Sequence, residues 1–166
     1  MGRWAYSECL SILWAALHSC TDAFPAVFGG DTDMDIAADI SEEVGVDIYG
    51  KEEELEEARI KLDAGLGAEI MKKYRAKEKD TAWGMRFLED PKYITLLLGA
   101  YFMTIGAKIA PGDRAHLRAC WEGFEGANGY RWPLNDAGFR MVGKVQYGAA
   151  LDHYVDGQRR SFFEPW

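Results

Sequence analysis

The chain has 166 residues, 48% of them hydrophobic and 13% aromatic, a length and composition that suit one folded domain and exclude a disordered chain. The net charge of −8 is uneven: residues 31–90 hold 18 acids against 9 bases, and residues 91–166 hold 7 against 9. No basic stripe is present, so neither nucleic acid nor an anionic membrane surface is an expected partner.

The opening "MGRWAYSECLSILWAALHSC" suits a helix over residues 7–20, with Leu10, Leu13, Trp14 and Leu17 on one side. Arg3 and the apolar patch from Cys9 to Leu17 are signal-like. Glu8, the single basic residue and the lack of a small-x-small cleavage site weigh the other way, towards a cytoplasmic protein. Tyr6 stands where N-myristoylation needs serine or threonine. Cys9, Cys20 and Cys120 form no CxxC pair, which fits reduced thiols.

Pro25, Gly29 and Gly30 break the chain before "GGDTDMDIAADISEE", residues 29–43. Here Asp31, Asp33, Asp35, Asp39 and Glu42 occupy positions 1, 3, 5, 9 and 12 of a calcium loop. The sharp turn at position 6 wants glycine, but Ile36 is there, and β-branched residues resist positive φ. No helix pattern leads into the loop either. The carboxylates are better read as the start of a helix over 34–44, capped by Asp31 or Asp33. Ile36, Ala37, Ile40 and Val44 then face the core, and Gly45 ends the helix.

"VDIYG" (46–50) is at most a short edge strand. Residues 52–62 begin acidic and end with Arg59 and Lys61, which suits the helix dipole. "DAGLG" (63–67) marks a break, and a helix resumes over 66–78. The apolar run 93–107, flanked by Lys92 and Lys108, falls short of the roughly 20 residues a membrane span needs. It is read as a core helix over 92–106 ending near Gly106. Pro111 suits a first helical position, with the helix running to about Gly123. Residues 125–136 form a loop around Asn128 and Gly129. The last helix is placed at 142–156, with Val145, Ala149 and Tyr154 inward and a stop at Gly157. The tail "QRRSFFEPW" should be pinned by its aromatics. Residues 1–166 therefore read as one all-α domain with several helices.

Several constellations carry potential chemistry. "GFRMVGKV" (138–145) fits most of a phosphate loop, but Val145 replaces the serine or threonine that holds magnesium. Asp113, His116 and Cys120 share a helix face at i, i+3 and i+7, as a zinc half-site or an enzyme of unrecognised class would have them. A structural zinc site needs a fourth ligand, and neither a metal nor a cofactor is expected. Asp152 and His153 are neighbours that point about 100° apart on a helix, so they make no dyad. Tyr130, Arg131 and Trp132 fall in a loop beside Pro133, a composition enriched at interfaces.

The start "MGRWAY", the later "FGGDTDMDIA", and the runs "LLLGAYFMTIGAKI…HLRACW" and "GYRWPL…GFRMVGKVQYGAALDHYVDGQRRSF" are similar to a family of small uncharacterised fungal proteins beginning Met-Gly-x-Trp-Gly. The resemblance covers most of the chain and implies no activity and no catalytic residue. Ala5 stands where the family has glycine, and Ser7–Val27 separates two stretches that are nearly adjacent in the family. The resemblance implies that 7–27 is an insertion or a retained intron. Main-transcript reads running straight through Ser7–Val27 would refute that.

Together these readings favour a non-enzymatic binding or interaction module with a protein or small-molecule partner. It would use an acidic face over residues 31–57, including Asp33 and Asp35, or the loop of Tyr130, Arg131 and Trp132. The alternatives are an enzyme using Asp113, His116 and Cys120, and a calcium-binding protein using Asp31–Glu42.

Overall fold

The structure, a computed structural model, describes residues 27–28, 31–80, 82, 91–123 and 140–162. Its helices are α1 (Asp31–Val44), α2 (Glu52–Lys61), a π turn (Leu62–Leu66), α3 (Gly67–Lys77), α4 (Pro91–Ile105), α5 (Pro111–Gly123) and α6 (Arg140–His153). No strand occurs among the described residues. The all-α reading therefore holds, and no helix is long and apolar enough to cross a membrane among those residues.

α4 is the axis of the fold. Every residue from Tyr93 to Ile105 is buried, as expected of a helix apolar on all sides. α1, α2, α3 and α5 pack around it, and α6 packs on α5. Gly99 allows the close approach on the α5 and α6 side: a Cβ there would meet the Tyr147 hydroxyl at 2.5 Å and Leu117 at 2.7 Å.

α1 buries Ile36, Ala37, Ile40 and Val44 as its pattern requires. It ends at Gly45, whose φ of +82° lets its N–H and that of Val46 turn back to the Ser41 carbonyl. The helix starts three residues earlier than the apolar pattern does. Asp33 is buried there, accepting the Phe28 N–H at 3.2 Å and the Tyr93 hydroxyl at 2.8 Å.

Residues 46–50 form turns, which removes the edge strand read from "VDIYG". Asp47 explains it: its side chain accepts the Tyr49 N–H at 2.9 Å and its carbonyl accepts the Gly50 N–H at 2.8 Å. "DAGLG" marks the break expected of it, a kink between α2 and α3. Gly65 takes a non-helical φ of +131°, a conformation glycine adopts without strain, and the chain kinks there. Asp63 on this turn accepts the Lys108 N–H at 2.6 Å and an Arg59 N–H at 3.1 Å.

α5 begins at Pro111 and ends at Gly123, the predicted bounds. α6 is shifted from its predicted 142–156. Val145, expected inward, is 64% exposed, because Gln146, Tyr147, Ala150 and Leu151 form the buried face. Gln146 belongs inside because its amide oxygen accepts the Val27 N–H at 3.2 Å. From Arg140 onward "GFRMVGKV" is helical, so those residues do not form a phosphate loop.

After α6 the chain returns across the end of α4. Gly157 and Arg160 donate their N–H groups to the Gly106 and Met103 carbonyls, each at 2.9 Å. Phe162 is fully buried, edge-on to Phe28 at 6.4 Å, as the aromatic tail suggested. Phe163, Trp166 and the segment 7–26 lie outside the described residues. Val27, the last residue of the proposed insertion, is in the core.

Candidate functional site

α5 brings its chemistry-bearing residues to one face, but they do not act as the set Asp113, His116 and Cys120. Asp113 is drawn aside by Arg75 of α3, 2.7 Å away. His116 and Cys120, one turn apart, meet at 3.5 Å between Nε2 and Sγ. Glu78, at the C-cap of α3, completes the group with Oε1 2.6 Å from the same Nε2. The three donor atoms lie within 4.8 Å of one another, the single such trio among the described residues. Cys120 is buried, and the His116 and Glu78 side chains are 23% and 10% exposed.

That shared nitrogen decides what the trio can do. In a thiol–imidazole–carboxylate relay the base uses one ring nitrogen for the nucleophile and the other for the carboxylate. Here Nε2 faces both partners, so the arrangement is convergent. Glu78 is 38 residues from His116, and no local periodicity links them.

The other sequence candidates separate. Asp152 pairs with Arg118, while His153 is exposed and, among the described residues, gives its backbone carbonyl to Arg160 at 2.7 Å. The calcium-loop positions lie on a helix. Asp33 points into the core, whereas Asp35, Asp39 and Glu42 follow the outer face at i, i+4 and i+7. Asp35 and Glu42 are then roughly 10 Å apart along the axis, too far to share one ion with ligands at about 2.4 Å. Asp33 is equally unavailable as an interaction residue, because it is buried under Phe28 and Tyr93. Asp35 remains exposed. Tyr130, Arg131 and Trp132 lie outside the described residues.

The acidic residues of α1 and α2 gather beyond Asp33. Residues 42–57 hold 8 acids and one base. Glu43, Glu52, Glu56 and Glu57 are ion-paired with Lys73, Arg159, Arg59 and Lys61. The bond from Arg59 holds the Glu56 carboxyl below the usual range, and the bond from Lys61 does so for Glu57. Glu42, Asp47, Glu53 and Glu54 have no ion-pair partner among the described residues. Tyr49 stands in the same stretch, 54% exposed, and Ile60 on α2 is 57% exposed.

A cleft of about 200 Å³ opens beside the π turn, floored by Leu62, Met71, Phe102 and Ile109. Its two rim carboxylates are already engaged, Asp63 by Arg59 and Asp113 by Arg75. Comparison with protein-family models, curated proteins and solved structures found no match for the chain.

Proposed function

We propose that this chain is a non-enzymatic helical binding module that docks a basic segment of a partner protein on the acidic face of α1 and α2. The observation that supports it is the set Glu42, Asp47, Glu53 and Glu54, carboxylates with no ion-pair partner among the described residues, around an exposed tyrosine, Tyr49. A protein keeps an aromatic and several like charges on one exposed stretch at some cost in self-repulsion. Lysine and arginine side chains of a partner would relieve that repulsion, and Tyr49 offers a flat apolar anchor. Such a face speeds encounter and selects against acidic partners more than it adds affinity, since each exposed charge pair contributes less than about 1 kcal/mol. Cys120, which forms no disulfide among the described residues, supports a cytoplasmic location.

Fluorescence anisotropy with a labelled lysine-rich peptide carrying one leucine tests the proposal. Binding should weaken several-fold between about 50 and 300 mM salt, as exposed charges become screened. Glu42→Gln/Glu53→Gln, which removes two of these charges, should weaken it a further three- to ten-fold, on the order of 1 kcal/mol, with unchanged circular dichroism. Absence of binding at low salt, or indifference to the double variant, would overturn it.

A further inference from the structure

We infer that Glu78, His116 and Cys120 form a binding site for a thiophilic divalent transition-metal ion, with zinc the best fit. The donor set comes first. Thiolate, imidazole and carboxylate are the three protein ligand types that zinc takes, whereas calcium and magnesium take oxygen. A buried thiol one helical turn from an imidazole gives a two-donor chelate on a single rigid element, with His116 and Cys120 fixed by the geometry of α5.

Distances carry the argument further. Zinc bonds of about 2.3 Å to sulfur and 2.0–2.1 Å to nitrogen at a tetrahedral angle place the two donors about 3.5–3.6 Å apart. Sγ and Nε2 already stand at 3.5 Å. The corresponding nitrogen–oxygen separation is about 3.4 Å, against the 2.6 Å observed. The carboxylate of Glu78 therefore has to withdraw by somewhat under 1 Å, which rotation of its long side chain supplies. The shared Nε2 is the diagnostic feature: both partners converge on the one ring position where an ion would bind.

Electrostatics point the same way. Glu78 caps the C-terminal end of α3, the negative end of the helix dipole, where a carboxylate is disfavoured and a cation is welcome. The exposed edges of His116 and Glu78 leave an entry path on the solvent side. Three protein donors leave a fourth position for water, so the ion is exchangeable, unlike one closed in by four protein ligands.

Cobalt(II) substitution of the full chain under reducing conditions tests the site, because a thiolate–cobalt bond produces a charge-transfer band and tetrahedral coordination an intense visible band. The expected result is one cobalt per chain, displaced by one equivalent of zinc. Cys9→Ser/Cys20→Ser, which leaves Cys120 as the sole thiol, should retain both bands. Glu78→Gln should weaken zinc binding about 10- to 100-fold, judged against a chelator of known affinity. No charge-transfer band in the native chain would overturn the inference, as would its loss in the double-serine variant. Zinc affinity unchanged in Glu78→Gln would remove the carboxylate from the site and overturn the three-donor assignment.

Discussion

Alanine at position 99 sets two physical effects against each other. Helix propensity favours Gly99→Ala by about 1 kcal/mol, because glycine is costly in a helix interior. Packing opposes it. The new Cβ would lie 2.5 Å from the Tyr147 hydroxyl oxygen and 2.7 and 3.0 Å from the two Leu117 methyl groups. Non-bonded carbon contacts settle near about 3.5–4.0 Å, so both neighbours must retreat by roughly 1 Å. Neither has room: Tyr147 and Leu117 are fully buried, one on α6 and the other on α5. Overpacking of this kind costs about 1–3 kcal/mol, and two buried neighbours place Gly99 in the upper half of that range. Subtracting the propensity gain leaves a net loss of about 1–2 kcal/mol, or a melting temperature lower by roughly 2–8 °C for a chain of this size. Calorimetry of the purified chain measures it, with Gly112→Ala on α5 as the control. A Cβ at Gly112 meets nothing within 4 Å, so that variant keeps whatever propensity gain its place in the first turn gives and should be between as stable as the parent and about 1 kcal/mol more stable. If Gly99→Ala proves as stable as the parent, the close crossing of α4 with α5 and α6 is wrong.

Buried tyrosines set an alkaline limit. Burial pushes the Tyr101 hydroxyl up to about 12 and raises Tyr147 and Tyr154 well above the ordinary value near 10, with the Asp156 carboxylate adding to the effect at Tyr154. The unfolded chain loses these protons from about pH 10 while the folded chain keeps them, so stability is full below pH 10 and falls as pH rises towards 12. Tyr101 alone accounts for a loss on the order of 2–3 kcal/mol; a urea midpoint that stays level from pH 9 to 11.5 would contradict this. Arg114→Ala tests the returning tail, because Arg114 donates to the Ile109 and Tyr154 carbonyls at 3.1 and 2.9 Å and stacks on the Tyr154 ring at 5.0 Å. The expected loss is about 2–3 kcal/mol by urea unfolding, and a loss below about 0.5 kcal/mol would show that the tail is held by other contacts.

What could be read in the sequence was local, and what could not was tertiary. The bounds of α5 follow from Pro111 and Gly123, and the burial of α4 follows from its unbroken apolar run, because each signal sits inside the element it defines. Val145 misled because α6 turns a polar residue, Gln146, inward with Tyr147, Ala150 and Leu151, where its amide oxygen accepts the distant Val27 N–H. Asp33 misled for a similar reason: a carboxylate at a helix start normally faces water, yet Tyr93, 60 residues away, draws it inside. The alternation in "VDIYG" suited a strand until the Asp47 side chain captured the Tyr49 N–H. At the site, the spacing of His116 and Cys120 was legible on one helix. Glu78 was not, because it enters from another element and no repeat in the chain marks it.

The same contrast explains where metal chemistry can reside in this fold. α3 and α5 both pack on α4, and they are joined to each other by two polar pairs, Arg75 with Asp113 and Glu78 with His116. Towards α4 and α6, α5 is also held by shape-dependent contacts: Leu117 wedges against Gly99, and Trp121 lies against Gly148, where a Cβ would meet it at 2.5 Å. Polar pairs at a partly exposed seam contribute little stability each, since water competes for both partners. A cation between the helices would replace one such pair with a bond network drawing on both elements, and its binding energy would add directly to the stability of the folded chain. A ligand bound at the seam between α3 and α5 would therefore tie together two elements that these polar pairs alone hold weakly. This seam is also the place where Cys120, buried among apolar neighbours on its other sides, reaches an imidazole and a carboxylate.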